Sequence, residues 1–142
     1  MSKKSGQIAQ RIAAFQGQEW NANYLGYFDC FNRQLFYEAH DVLEELWLAS
    51  RHEANGAFYK GLIQLAGAFV HLQKQRLRPA AALFKLARQN LESYPAVHER
   101  LELRSVVGLI DWWLGELDAA RYLINPLRGD NPPQMTLQPY QD

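Results

Sequence analysis

The chain has 142 residues, 48% hydrophobic and 21% charged, which is room for one domain with its own core and not for two. Fifteen basic residues balance fifteen acidic ones, so the basic excess of a general nucleic-acid binder or an anionic-membrane binder is missing. A single cysteine, Cys30, excludes an intramolecular disulfide. With no signal-peptide pattern, this points to the cytoplasm and to a small apolar role for Cys30.

Residues 1–20, "MSKKSGQIAQRIAAFQGQEW", read as an N-terminal segment in which Ile8, Ile12 and Phe15 have the spacing of a short docking helix. Asn21 and Asn23 are candidate N-caps. Tyr24, Phe28, Phe31 and Leu35 then recur at i, i+4, i+7 and i+11, which predicts a first helix. A second runs from about Phe36 to Ser50, and "RHEANG" turns the chain. A third spans about Ala57 to Gln75. Pro79 fits the first turn of a fourth, roughly 79 to 93, which "SYP" stops. Val106, Leu109, Ile110, Trp113 and Leu117 place a fifth within 103 to 118. Residues 125–142 hold four of the six prolines without periodicity and read as an extended tail, packed on a neighbour or disordered. No strand pattern and no internal repeat compete with these elements. The most apolar stretch, "GLIQLAGAFVHL", is too short to span a bilayer and carries a glutamine and a histidine. The expectation is an all-α protein: a compact antiparallel bundle of about five helices over residues 21–124.

The chemistry concentrates in "FYEAHDVLEELW", residues 36–47. On a helical wheel Phe36, Ala39, Leu43, Leu46 and Trp47 share one face. His40 falls inside it beside Trp47, and Glu44 falls at its edge. Glu38, Asp41 and Glu45 point toward water. The third helix is apolar almost all round from Gly61 to Leu72 apart from Gln64 and His71, which lie two turns apart with Ala68 between them. Small residues there, Gly61 included, let another helix approach. Buried polar groups without partners cost roughly 1–3 kcal/mol, so the natural partners of Gln64 and His71 are His40 and Glu44.

Two readings of His40, Glu44, Gln64 and His71 follow. In one they form a satisfied polar network that fixes helix register. In the other they form a site, either an acid–base pair or a divalent metal centre held by His40, Glu44 and His71. As a binding pocket the same interior offers Gln64, His71 and Trp47. His-x-x-x-Glu alone is a weak signal, and Gln64 is a poor zinc ligand.

Charge segregates as well. Acidic residues crowd the second helix and its exit. Lys74, Arg76, Arg78, Lys85 and Arg88 crowd the end of the third helix and the fourth helix, where an anion site near the basic turn is the alternative to a solvated face. Trp113 belongs to the inward stripe of the fifth helix. Trp112 does not, and it fits an interface between two copies of the chain, hence a homodimer.

"FNRQLFYEAHDVLEELW" followed by "YKGLIQLAGAFVHLQ" resembles the helical family known as domain of unknown function 309. Phe31, Asn32, Phe36, Tyr37, Glu38, His40, Glu44, Glu45 and Trp47 carry the first part of the likeness. Gly61, Leu62, Ile63, Gln64, Ala66 and His71 carry the second, and the whole covers roughly residues 24 to 114. The resemblance implies a small all-helical bundle and the label of predicted metal-dependent hydrolase. Gln34 stands where such relatives have glycine, which implies that the first two helices run closer to continuous here.

No phosphate loop, nucleophile elbow or cysteine cluster supports a standard enzyme class. The sequence therefore supports a soluble helical module with a structural polar cluster. A metal-dependent hydrolase built on His40, Glu44 and His71 is the alternative.

Overall fold

A computed structural model describes residues 21–139 together with Ile8. Ile8 is helical and 5% exposed; the rest of the docking helix expected within 1–20 lies outside the described residues. Asn21 caps the first described helix, its side-chain oxygen accepting from the backbone N–H groups of Asn23 at 2.8 Å and Tyr24 at 3.3 Å. This helix, α1 (Ala22–Asn32), buries Tyr24, Tyr27, Phe28 and Phe31. Asn23 lies inside it, and its amide donates to the Val42 carbonyl.

A sharp turn follows instead of the expected near-continuity. Gln34 adopts the left-handed conformation with φ 63°, which does at this position what glycine does with less strain. Leu35 thus stands before α2 (Phe36–Ser50) and not at the end of α1. The third helix, α3 (Gly56–Gln73), is capped from a distance. Tyr94 Oη accepts from the Phe58 N–H at 3.0 Å and donates to the Ala54 carbonyl at 2.6 Å. The fourth helix, α4 (Leu77–Leu91), is strongly amphipathic and turns Ala80, Ala81, Phe84, Ala87 and Leu91 inward. The fifth, α5 (Leu103–Ala119), buries Val106, Ile110, Trp113 and Leu117.

Each helix packs on the one before it in the chain, and α3 lies at the centre. Phe69 on α3 meets one ring from every other helix: Phe31 at 5.5 Å, Phe36 at 5.0 Å, Phe84 at 5.1 Å and Trp113 at 5.0 Å between centroids. Aromatic pairs of this kind contribute about 0.5–1.5 kcal/mol each beyond the area they bury. Tyr27 is fully buried and donates to the Leu62 carbonyl at 2.7 Å. Burial pushes its phenol far above the usual tyrosine range, so it stays neutral. No helix among the described residues is long and apolar enough to cross a membrane.

One element was not expected. β1 (Val97–His98) and β2 (Leu101–Glu102) form a minimal antiparallel hairpin, with Val97 opposite Glu102 and His98 opposite Leu101. Its two-residue turn has Glu99 at φ 50° and Arg100 at φ 63°, the type I′ geometry that matches strand twist. The turn is held from outside: Tyr24 Oη donates to the Glu99 carbonyl at 2.8 Å, and the Gln138 N–H donates to the Arg100 carbonyl at 2.7 Å. The C-terminal stretch runs back over α1. Asn32 exchanges two 2.8 Å hydrogen bonds with the backbone of Met135, whose side chain is 4% exposed.

Candidate functional site

His40 stands on α2 with its side chain 31% exposed, not enclosed. Its Nδ1 lies 3.2 Å from Asp41 Oδ1, and its Nε2 lies 3.4 Å from Glu44 Oε2. Two carboxylates therefore face opposite edges of one imidazole. The Tyr37 ring lies alongside with centroids 6.2 Å apart. Asp41 was expected to point into solvent but is 7% exposed. The wheel assumes a single buried face, whereas α2 is covered on more than one side, and Val42 joins its inward residues.

Gln64 is half-buried, and its partner is neither His40 nor Glu44. Its Oε1 accepts from Asn90 Nδ2 on α4 at 2.7 Å. The reason is the approach that Gly61 permits: a Cβ there would lie 2.8 Å from Leu91 Cγ and 3.1 Å from Asn90 Cβ. The end of α4 sits against that face of α3 and reaches Gln64 first. His71 is half-buried as a residue, yet its Nδ1 is fully buried with no hydrogen-bond partner among the described residues. Burial holds its pKa below the ordinary histidine value, and the nearby cations of Arg76 and Lys74 push the same way. The four residues of the expected constellation do not form one hydrogen-bonded network.

Three of the four meet at a cleft of about 280 Å³ between α2, α3 and α4. From α2 it takes Tyr37 and His40. From α3 come Lys60, Ile63, Gln64, Gly67, Val70 and His71, and from α4 comes Leu83. Glu44 does not line it. Trp47 reaches the cleft only through Lys60, whose Nζ lies 4.4 Å from the Trp47 ring centroid, so its contribution is to seat a cation. Lys60 and Gly67 were legible in principle, because positions 60, 64, 67 and 71 share one side of a helix. Asn90 carried no local signal and is brought in by the packing of α4.

These residues do not fit the metal that the resemblance implies. Among the described residues no three His, Cys, Asp or Glu side chains gather closely enough to hold an ion. Asp41 and Glu44 approach opposite nitrogens of His40 instead of converging with it on one point. None of the lining residues is Ser, Thr or Cys, so the cleft lacks the aliphatic hydroxyl or thiol that a neighbouring histidine commonly activates. The arrangement provides hydrogen-bond donors around an apolar recess, which is the chemistry of recognition.

Among the described residues, a bundle of five helices with a polar-lipped cleft between α2, α3 and α4 defines the class. Residues 24–83 match the family described as Domain of unknown function (DUF309), and the chain resembles that family over the helices that build the cleft. The match ends at residue 83, inside α4, short of the likeness expected to about residue 114. No curated protein and no solved structure matches the chain.

Proposed function

We propose that the chain is a helical binding module that takes a small ligand in the cleft between α2, α3 and α4 and performs no chemistry on it. The observation that carries this reading is the cleft itself, an apolar recess of about 280 Å³ lined by the hydrogen-bonding side chains of Tyr37, His40, Lys60 and Gln64. The reading is supported over a metal-dependent hydrolase by the opposed carboxylates on His40. The test is ligand-observed NMR on the full chain with a fragment library of mixed charge. Hits are expected, and Gly67→Leu is expected to remove them by filling the cleft while circular dichroism stays helical. An absence of hits, or hits indifferent to Gly67→Leu, would sink the proposal. Chelator separates the alternative: the melting temperature of untagged protein is expected to be the same with and without it. A chelator-induced loss of stability restored by a divalent ion would favour the hydrolase, since a bound ion stabilises the folded state by mass action.

A further inference from the structure

We infer that the ligand of this cleft is a small organic carboxylate with an apolar body, the carboxylate held by Lys60 and Gln64 and the body lying over Gly67. The inference rests on the binding reading above and adds the ligand's class. Every polar side chain lining the cleft (Tyr37, His40, Lys60, Gln64 and His71) can donate a hydrogen bond, and none of the lining residues is acidic. Asp41 and Glu44 are near, but they engage the ring nitrogens of His40 and do not line the cleft.

Lys60 and Gln64 are one helical turn apart on α3, the spacing at which two side chains reach one group. Asn90 occupies Gln64 Oε1, which orients the amide so that Nε2 keeps its N–H donors. No ion pair of Lys60 exists among the described residues. Its ammonium rests on the Trp47 face, where cation–π attraction seats the charge and leaves its N–H groups to hydrogen-bond. An ammonium and an amide N–H pair form a charge-assisted grip on a carboxylate.

The body of the ligand is set by what lies beyond this pair. Ile63, Val70 and Leu83 give an apolar wall. Gly67 leaves the floor open, since a Cβ there would already stand 3.1 Å from Leu83 Cδ1. Gln64 and His71 are seven residues apart, roughly 10 Å along the helix. A ring carrying a hydroxyl opposite its carboxylate spans most of that length and brings the hydroxyl toward the His71 end of the cleft. The volume of about 280 Å³ sits just under the range of about 300–1,000 Å³ for drug-sized ligands, so the ligand is a single ring or a short branched chain.

The experiment is a calorimetric titration of the full chain with 4-hydroxyphenylacetate and with its neutral isostere, 4-hydroxyphenylacetamide. The carboxylate is expected to bind saturably and at least about tenfold more tightly than the amide. Lys60→Met is expected to weaken carboxylate binding by at least about tenfold and to remove the preference for the acid over the amide. Equal binding of acid and amide by the native chain overturns the anion class and leaves the cleft reading standing. So does carboxylate binding that survives Lys60→Met. Fragment hits in the NMR screen with no carboxylate among them also refute the anion class alone. No binding of any fragment removes the cleft reading and this inference together.

Discussion

Among single residues His71 has the clearest thermodynamic signature. Burial first, then Arg76 and Lys74, hold its folded pKa below the ordinary histidine value of about 6.5. In the unfolded chain the ring titrates near that value, so at mildly acidic pH the unfolded state binds more protons than the folded one. Stability from this group is therefore complete above the ordinary histidine pKa, declines as pH falls below it, and levels off once the folded ring is protonated as well. The denaturant midpoint of the native chain is expected to fall on acidification through that window. His71→Leu is expected to flatten the fall, and it leaves His40, His52 and His98 in place as common background. Identical pH slopes in the two proteins would refute the assignment. Gln34 is the second residue with a defined cost. Its φ of 63° carries roughly 1–2 kcal/mol of strain for a residue with a Cβ, and its hydrogen bonds among the described residues run through its backbone, the N–H donating to the Phe31 carbonyl and the carbonyl accepting from Gln73 Nε2. Gln34→Gly should stabilise the chain by about 0.5–1 kcal/mol after the added flexibility of the unfolded state is subtracted. Destabilisation on chemical denaturation would show that the side chain has a role of its own.

At the scale of elements, two glycines on α3 separate packing from cleft. Gly61 is fully enclosed by α4, and an added Cβ would meet Leu91 at 2.8 and 2.9 Å. Leu91 is itself fully buried and has nowhere to go. Gly61→Ala should cost about 1–3 kcal/mol by overpacking. Gly67 faces Leu83, which lines the open cleft and can give way, so Gly67→Ala should be neutral or stabilising by up to about 1 kcal/mol through helix propensity. Thermal denaturation of both variants checks the pair, and equal effects would mean that α4 lies against the two positions alike. The same contrast marks how far the sequence could be read. The five helices were legible because their apolar periodicity and their Asn, Gly and Pro punctuation agree. The partner of Gln64 was not, because it depends on how closely α4 approaches, and closeness is a property of two surfaces. The hairpin was missed because "HERL" offers none of the Asn-Gly chemistry of a type I′ turn. Its left-handed residues are held instead by Tyr24 from α1 and by Gln138, far away in the chain.

At the scale of the whole molecule, the polar residues picked out on two separate helices were the right ones to bring together, yet their spacing suggested a closed network. Periodicity says which side of a helix is buried. It does not say that a third helix leaves a gap between them, and that gap turns His40, Gln64 and His71 into a lining. Phe69 explains why the bundle tolerates the gap: its four ring contacts tie α1, α2, α4 and α5 to α3 without help from the cleft side.

The outer face of α5 raises the question of assembly. Trp112 is 50% exposed, whereas its neighbour Trp113 is 3% exposed. Gly108 and Gly115 lie four residues before and three residues after Trp112, which places all three on one side of the helix. A Cβ at either glycine would meet nothing within 4 Å. Glycine inside a helix costs about 0.5–1 kcal/mol relative to alanine, and no contact within the described chain requires it at these two positions. We propose that a second copy does: two α5 helices related by a two-fold axis would each set Trp112 against the glycine-lined face of the other, a self-complementary arrangement. Light scattering at about tens of micromolar should then give twice the chain mass, because a buried aromatic anchor at the centre of an interface contributes about 2 kcal/mol or more. Trp112→Glu should shift the species to monomer. Gly108→Leu should do the same by blocking the recess, while leaving the far-ultraviolet spectrum helical. A monomer mass for the native chain at that concentration, or a dimer that survives both substitutions, would rule out this face as the interface.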